Sequence, residues 1–329
     1  MTVLLLLLSF VLILGGAVLF TNAVEWLGKR LGFGHGAVGS LLAAVGTALP
    51  ESLIPIVALV GGAESGEDVA IGAIIGAPFM LATVAMVLVG GSALVFAARR
   101  KTGRRINADP ALVRRDLGAF LILLTVALLL GLGAPEGLRM AGGIVLFGAY
   151  VLYAYITIRG GGSPAHDDEL APLTFDPSKD DPPTTFQIAL QVLVGLGLIV
   201  AGAELFVEEL VHIADGLGIG ALALALVLAP LATELPEKAN SVFWMRQSKD
   251  SLAVGNITGA MVFQSTIPVS VGLLFTEWTL NRYALTGGVL ALAGGALAYV
   301  ALRRGRVNAP FVVAWLALFA AFVAFVALG

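Results

Sequence analysis

Gly46-Thr47-Ala48-Leu49-Pro50-Glu51, with its counterpart Ala232-Thr233-Glu234-Leu235-Pro236-Glu237, decides how the chain is read. Each stretch sets a hydroxyl, a proline and a carboxylate within six residues inside a long apolar run. A carboxylate at such depth in a bilayer is costly and by default marks a functional site. Proline has no N–H for the carbonyl four residues before it, so Pro50 frees the oxygen of Gly46 and Pro236 that of Ala232. Hydroxyl, carboxylate and freed carbonyl are hard oxygen ligands, the set a small hard cation requires. Glu51, Glu237, Thr47, Thr233 and the carbonyls of Gly46 and Ala232 are therefore candidate cation ligands.

The sequence around these stretches is that of a membrane protein. Of 329 residues, 58% are hydrophobic and 12% charged, where a soluble domain has about a quarter charged. Breakers divide the apolar runs into ten spans, near 2–23, 37–60, 69–97, 116–133, 138–158, 185–211, 217–243, 251–274, 282–302 and 309–328. The first lacks a basic leading segment and a small-residue cleavage site, so it reads as a retained helix. Sixteen of the 19 Lys and Arg residues fall in alternate connections. The positive-inside rule makes those loops cytoplasmic and both termini external. The net charge of −3 favours no partner such as nucleic acid, and the absence of cysteine excludes thiolate chemistry. No Ser-His-acid set and no phosphate loop is readable, so the chain is not expected to be an enzyme. The bilayer and small cations are the expected partners, with no protein partner and no cofactor.

The counterpart of Glu51 lies 186 residues on, and the match extends beyond it. Gly16, Leu19, Phe20, Gly32 and Gly34 pair with Gly202, Leu205, Phe206, Gly218 and Gly220 at that same offset. After a three-residue deletion, Gly72, Ile74, Gly76 and Ala77 pair with Gly255, Ile257, Gly259 and Ala260. Five spans per half is an odd number, so the second half enters the membrane from the opposite side, which defines an inverted repeat. The expected fold is all-α: ten transmembrane helices in two inverted five-helix repeats, with discontinuous second and seventh helices. The repeats occupy residues 1–158 and 185–329. Residues 159–184, rich in Gly, Pro and Asp, read as a flexible acidic cytoplasmic linker. The repeat axis would bring Glu51 and Glu237 face to face, where low dielectric demands a cation or proton between them. A site that must stay loaded suits an antiporter. Glycines at i, i+4 (Gly72 and Gly76, Gly255 and Gly259) suit a crossing of the third and eighth helices.

These elements resemble the cation/calcium exchanger superfamily, in particular prokaryotic sodium/calcium exchangers. That family carries Gly-Thr-Ser-x-Pro-Glu on its second and seventh helices and Gly-Asn-x-x-Gly-Ser-Asn on its third and eighth. Here the second element is Gly72-Ala73-Ile74-Ile75-Gly76-Ala77-Pro78 and Gly255-Asn256-Ile257-Thr258-Gly259-Ala260-Met261. The resemblance implies alternating access, with the first and sixth helices sliding past a core of the other eight. It implies Glu51 and Glu237 as central ligands, with Thr47 and Thr233 as hydroxyl or carbonyl ligands. Ala73, Pro78 and Met261 stand where the family has further ligands, which leaves Asn256, with Thr258, Gln264 and Ser265 nearby. Glu234 replaces the family serine, and Lys238 follows one helical turn later, either as an ion pair or as a group for charge or proton coupling. The function implied is calcium exchange for sodium, in a prokaryotic plasma membrane. Calcium/proton or sodium/proton antiport is the alternative; a passive cation channel or a non-transporting membrane protein are the remaining readings.

Overall fold

A bilayer offers the backbone no hydrogen-bond partner, so long runs of Leu, Ala and Val fold as helices, which satisfy their own N–H and C=O groups. The computed structural model describes residues 1–30, 51–61, 65–159, 171–176, 183–305 and 307–328. At 28, 158, 232, 235–237, 239 and 240 only the backbone is described. In chain order the helices are α1 Thr2–Arg30, α2 Glu51–Val60, α3 Gly66–Met80, α4 Met86–Val95, α5 Pro110–Leu130 and α6 Glu136–Arg159. They continue as α7 Thr185–Leu217, α8 Ala221–Arg246, α9 Asp250–Gln264, α10 Ile267–Phe275, α11 Arg282–Arg303 and α12 Ala309–Leu328. A π-helical turn, Leu81–Ala85, joins α3 to α4. Seven helical stretches among the described residues are long and apolar enough to cross a membrane, counting α3 with α4 and α9 with α10. The protein is an all-α integral membrane protein. Lipid-facing side chains such as Leu138, Ile144 and Val151 on α6 are accordingly exposed.

Small residues set the packing, because helices in lipid are held by close contact rather than by exclusion of water. In the α1–α7 pair, a Cβ on Gly16 would stand 2.7 Å from the Gly195 carbonyl oxygen, and one on Gly202 would stand 2.9 Å from Ile13. The described part of the segment read as a linker is clipped to this pair. Trp26 Nε1 donates to Ala171 O at 2.9 Å, and Asn22 Oδ1 accepts from Thr174 N at 3.0 Å and Gln191 Nε2 at 2.8 Å. Phe175 N donates to Gln191 Oε1 at 2.9 Å, while Leu173 is buried against Ala23 and Ile188. A capping box, Thr184 with Gln187, then opens α7.

Gly72 and Gly76 do not meet the eighth span. They lie against α8, where a Cβ on Gly72 would stand 2.5 Å from the Leu222 carbonyl oxygen and one on Gly76 would overlap the Leu226 carbonyl oxygen. Pro230 offers no N–H to that Leu226 carbonyl, so the third span fits where α8 has an unpaired acceptor. Gly255 faces Leu112 of α5 instead, and Gly259 faces Tyr153 of α6. The glycine spacing signalled close backbone approach correctly at Gly72 and Gly76 but not the partner, whereas a Cβ on Gly255 or Gly259 would meet only side-chain atoms, at 3.3 and 3.9 Å. Because the obstruction at Gly76 is backbone, Gly76→Ala is expected to lower stability by at least the ~1–3 kcal/mol typical of overpacking. Thermal unfolding in detergent should show a clear fall in Tm.

The expected break in the seventh span is absent. The backbone of α8 runs unbroken from Ala221 to Arg246 through Pro230 and Pro236. Proline removes one hydrogen bond, but its φ is helical, and neighbouring helices in a membrane re-satisfy the freed group. The interruptions lie elsewhere. The eighth span breaks between Gln264 and Ile267, and the third carries the π-helical turn at Leu81. Pro50 of the second span lies outside the described residues.

The start of α9 is fixed by a buried ion pair. Arg100, in the connection between α4 and α5, meets Asp250 at 2.6 Å, with side chains 0% and 1% exposed. The guanidinium also donates to Gly103 O at 2.9 Å and Arg105 O at 3.0 Å, while Asp250 Oδ2 accepts from Asn107 N at 2.7 Å. A smaller counterpart begins α3, where Glu67 Oε1 accepts from Glu277 N at 2.7 Å.

Candidate functional site

Glu51, half-buried, opens the described part of α2. Its Oε2 accepts a hydrogen bond from Gln264 Nε2 at 2.7 Å. Gln264 is the last residue of α9 and is 1% exposed. An ionised carboxylate accepts but does not donate, so it turns the amide nitrogen toward itself and the amide oxygen away. That oxygen, Oε1, is buried and has no hydrogen-bond partner among the described residues. The main-chain carbonyl of Gln264 is in a similar position, because the residue four further on is Pro268. Ser265 and Thr266 turn their hydroxyls back onto Val262 O at 3.0 and 2.7 Å and so hold the break open. The Glu51 carboxylate thus meets the Gln264 amide at a helix interruption, and Gln264 itself carries an amide oxygen and a main-chain carbonyl without helical or side-chain donors among the described residues. These are the hard oxygens that a cation without its water shell needs.

Thr233, 6% exposed on α8, donates to Ala229 O at 3.2 Å, the back-bond common for threonine in membrane helices. Its oxygen keeps its lone pairs. Glu234 and Lys238 are 1% and 2% exposed, one turn apart on the same helix. Asn256 donates to Ser241 Oγ at 3.1 Å, tying α9 to α8. It lies about 12 Å along the axis of α9 from Gln264, at ~1.5 Å per residue. Gly46 and Thr47 lie outside the described residues, and of Ala232 and Glu237 only the helical backbone within α8 is described. Among the described residues there is no cluster of three or more His, Asp and Glu side chains that could hold a metal.

Gln264 is the residue that the sequence reading noticed only as a neighbour of Asn256. A signal for it was present. Pro268 stands four residues after it, the same relation that draws attention to Gly46 and Ala232.

Comparison with known proteins places the fold and the lineage. The chain is 27% identical to a putative antiporter, CaxA, of Alkalimonas amylolytica over 92% of this chain and 90% of that one. It is 25% identical to the inner membrane protein YrbG of Escherichia coli strain K12, over 91% and 88%. Among solved structures, its fold is similar to that of the H+/Ca2+ exchanger CAX, with TM-score 0.73, 19% identity, and 98% and 81% of the two chains covered. The sodium-calcium exchanger NCX_Mj, soaked with 2.5 mM Na+ and 0.1 mM Ca2+, gives TM-score 0.60 at 21% identity over 98% and 97%. The model of the family described as sodium/calcium exchanger protein matches residues 1–159 and 188–328, both flanks of the linker. With nearly the whole chain matched, and with Glu51 in the first matched segment and Gln264 in the second, this protein belongs to the sodium/calcium exchanger family of membrane cation antiporters.

Proposed function

We propose that the protein exchanges calcium for sodium by alternating access around a site built on Glu51 and Glu237, with Thr47, Thr233 and the carbonyls of Gly46 and Ala232. Gln264 joins Glu51 in that ligand set, and Asn256, about 12 Å away along α9, serves a second cation position on the same path. The observation that carries this reading is the hydrogen bond from Gln264 to Glu51 at a helix break. It sets a carboxylate beside a residue whose amide oxygen is buried without a donor among the described residues.

The ten-span plan and the inverted repeats of residues 1–158 and 185–329, joined by 159–184, are part of the proposal. Two relations support them. Leu81, where the π-helical turn begins, and Gln264, where α9 ends, stand 183 residues apart, the offset that relates Gly72 to Gly255. Glu67 and Asp250 share that offset. Each carboxylate stands in the first turn of its helix and grips the connection that follows the other helix's span. In this plan both termini are external, and the basic connections and the linker are cytoplasmic.

A second reading, proton-coupled exchange, rests on Glu234 and Lys238, a buried acid and base one turn apart on the helix that carries Glu237. Both residues can titrate, and either can exchange a proton while calcium passes. The purified protein in liposomes separates the two readings. Calcium uptake driven by an outward sodium gradient at equal pH supports sodium exchange. Uptake that needs a pH gradient and ignores sodium transfers the proposal to the proton reading. In either case Gln264→Leu is expected to raise the KM for calcium about tenfold or more, the loss of one hydrogen bond to a charged group. Initial uptake rates against calcium concentration would show it.

A further inference from the structure

Away from the candidate site, polar side chains from three helices converge on one buried carboxylate. Asp116, in the second turn of α5, is 1% exposed. Its Oδ1 accepts from Arg115 Nε at 2.8 Å and from the hydroxyl of Tyr153 on α6 at 2.9 Å. Its Oδ2 accepts from Thr258 Oγ1 on α9 at 2.8 Å. The Arg115 guanidinium lies 5.2 Å over the Tyr153 ring, which fixes that side chain further. One turn before Tyr153, Tyr150 meets Phe263 of α9 edge-on, with ring centroids 5.3 Å apart. The Tyr153 hydroxyl also covers Gly259, where a Cβ would stand 3.9 Å away. α5 and α6 therefore hold α9 at Thr258, Gly259 and Phe263. The next residue is Gln264.

We propose that Asp116 is a positioning residue for the cation site: through Thr258 and Tyr153 it sets the rotation and height of α9 so that Gln264 meets Glu51. This rests on the reading of Glu51 and Gln264 as cation ligands. Sliding a helix by one residue shifts it about 1.5 Å and turns it about 100°. That is enough to carry the Gln264 amide away from Glu51. Apolar side chains of similar volume would hold three helices together equally well, often at lower cost than a buried charge. A carboxylate with directional donors from α5, α6 and α9 adds a defined register, because each donor is satisfied in one arrangement only. Thr258 supplies the link to α9, so the hydroxyl can be tested without removing the buried charge.

Full-length Thr258→Val and Thr258→Ser proteins in liposomes test this through calcium-45 uptake, under whichever gradient drives the unsubstituted protein. Thr258→Val keeps the shape and removes the donor; its KM for calcium is expected to rise about tenfold, with the maximal rate within about twofold. Thr258→Ser keeps the donor and should restore the original KM. Tyr153→Phe should act in the same direction as Thr258→Val, and it serves if Thr258→Val fails to fold. A purely structural role would lower Tm and yield in Thr258→Val while leaving the KM of the folded protein unchanged, and that result overturns the proposal. So does an equal rise in the Val and Ser variants, which would show that the hydroxyl is not what matters. If the unsubstituted protein moves no cation under sodium or pH gradients, the reading of the site fails and this inference falls with it. If it transports normally and Thr258→Val has an unchanged KM, this inference alone fails.

Discussion

Glu51→Gln is expected to cut cation flux at least 100-fold while leaving the protein folded and monodisperse in detergent. The substitution keeps the side chain's shape and one oxygen but removes its charge. A unit charge about 4 Å from a monovalent cation contributes about 4 kcal/mol at an effective dielectric of 20, nearly three decades of affinity, and more for a divalent ion. The new amide oxygen recovers part of this, hence the lower bound. The Gln264 amide, which now donates to Glu51 Oε2 at 2.7 Å, would keep an acceptor in the glutamine oxygen. Stability should therefore change little. Uptake in liposomes together with the size-exclusion profile distinguishes lost transport from lost fold. A variant that transports at more than a tenth of the normal rate would remove Glu51 from the central role.

The largest effect on stability is expected from Asp250→Ala. Arg100 would remain with its charge in a place where its side chain is 0% exposed. Removing one partner of a buried pair costs ~3–5 kcal/mol, because the other charge stays desolvated. Asn107 N would also lose its acceptor, and the first turn of α9 its anchor. Replacing both partners, as in Arg100→Met with Asp250→Leu, should recover much of the loss, since packed apolar side chains often equal a buried pair. Unfolding followed by circular dichroism in detergent would report Tm for the single and double variants. A single variant as stable as the parent would mean that water reaches Arg100.

Much of the fold was legible because a bilayer imposes simple rules. Apolar runs of spanning length became α1, α6, α7, α11 and α12 near their expected limits. The breaks were harder to place, and the prolines show why. Pro236 lies in the interior of α8, where the helix tolerates it, whereas Pro268 occupies the first turn of α10, where a missing N–H costs nothing. The two look alike in the sequence. Ser265 and Thr266 distinguish them by capping the end of α9 with hydroxyls turned onto Val262 and Phe263 carbonyls.

The candidate site was legible in part. Glu51 stands out as a carboxylate in an apolar run, but its partner Gln264 is 213 residues away in the chain, and no local pattern joins them. Glycine spacing behaves in the same way. It announces that a backbone will come close to Gly76 but not that the backbone is α8. Asp116 was hidden for another reason: beside Arg115, at the edge of an apolar run, it reads as an interfacial charge. Only the tertiary fold, which brings Tyr153 and Thr258 to it, reveals a buried acid.

Accumulation of calcium-45 against its own gradient, in liposomes holding the purified protein, tests the antiporter reading most directly. With sodium or protons initially concentrated on the opposite side, internal calcium should rise above the external concentration and then collapse when an ionophore dissipates the driving gradient. Calcium that only equilibrates downhill, at a rate indifferent to sodium and pH gradients, would contradict exchange and leave a passive pathway in its place.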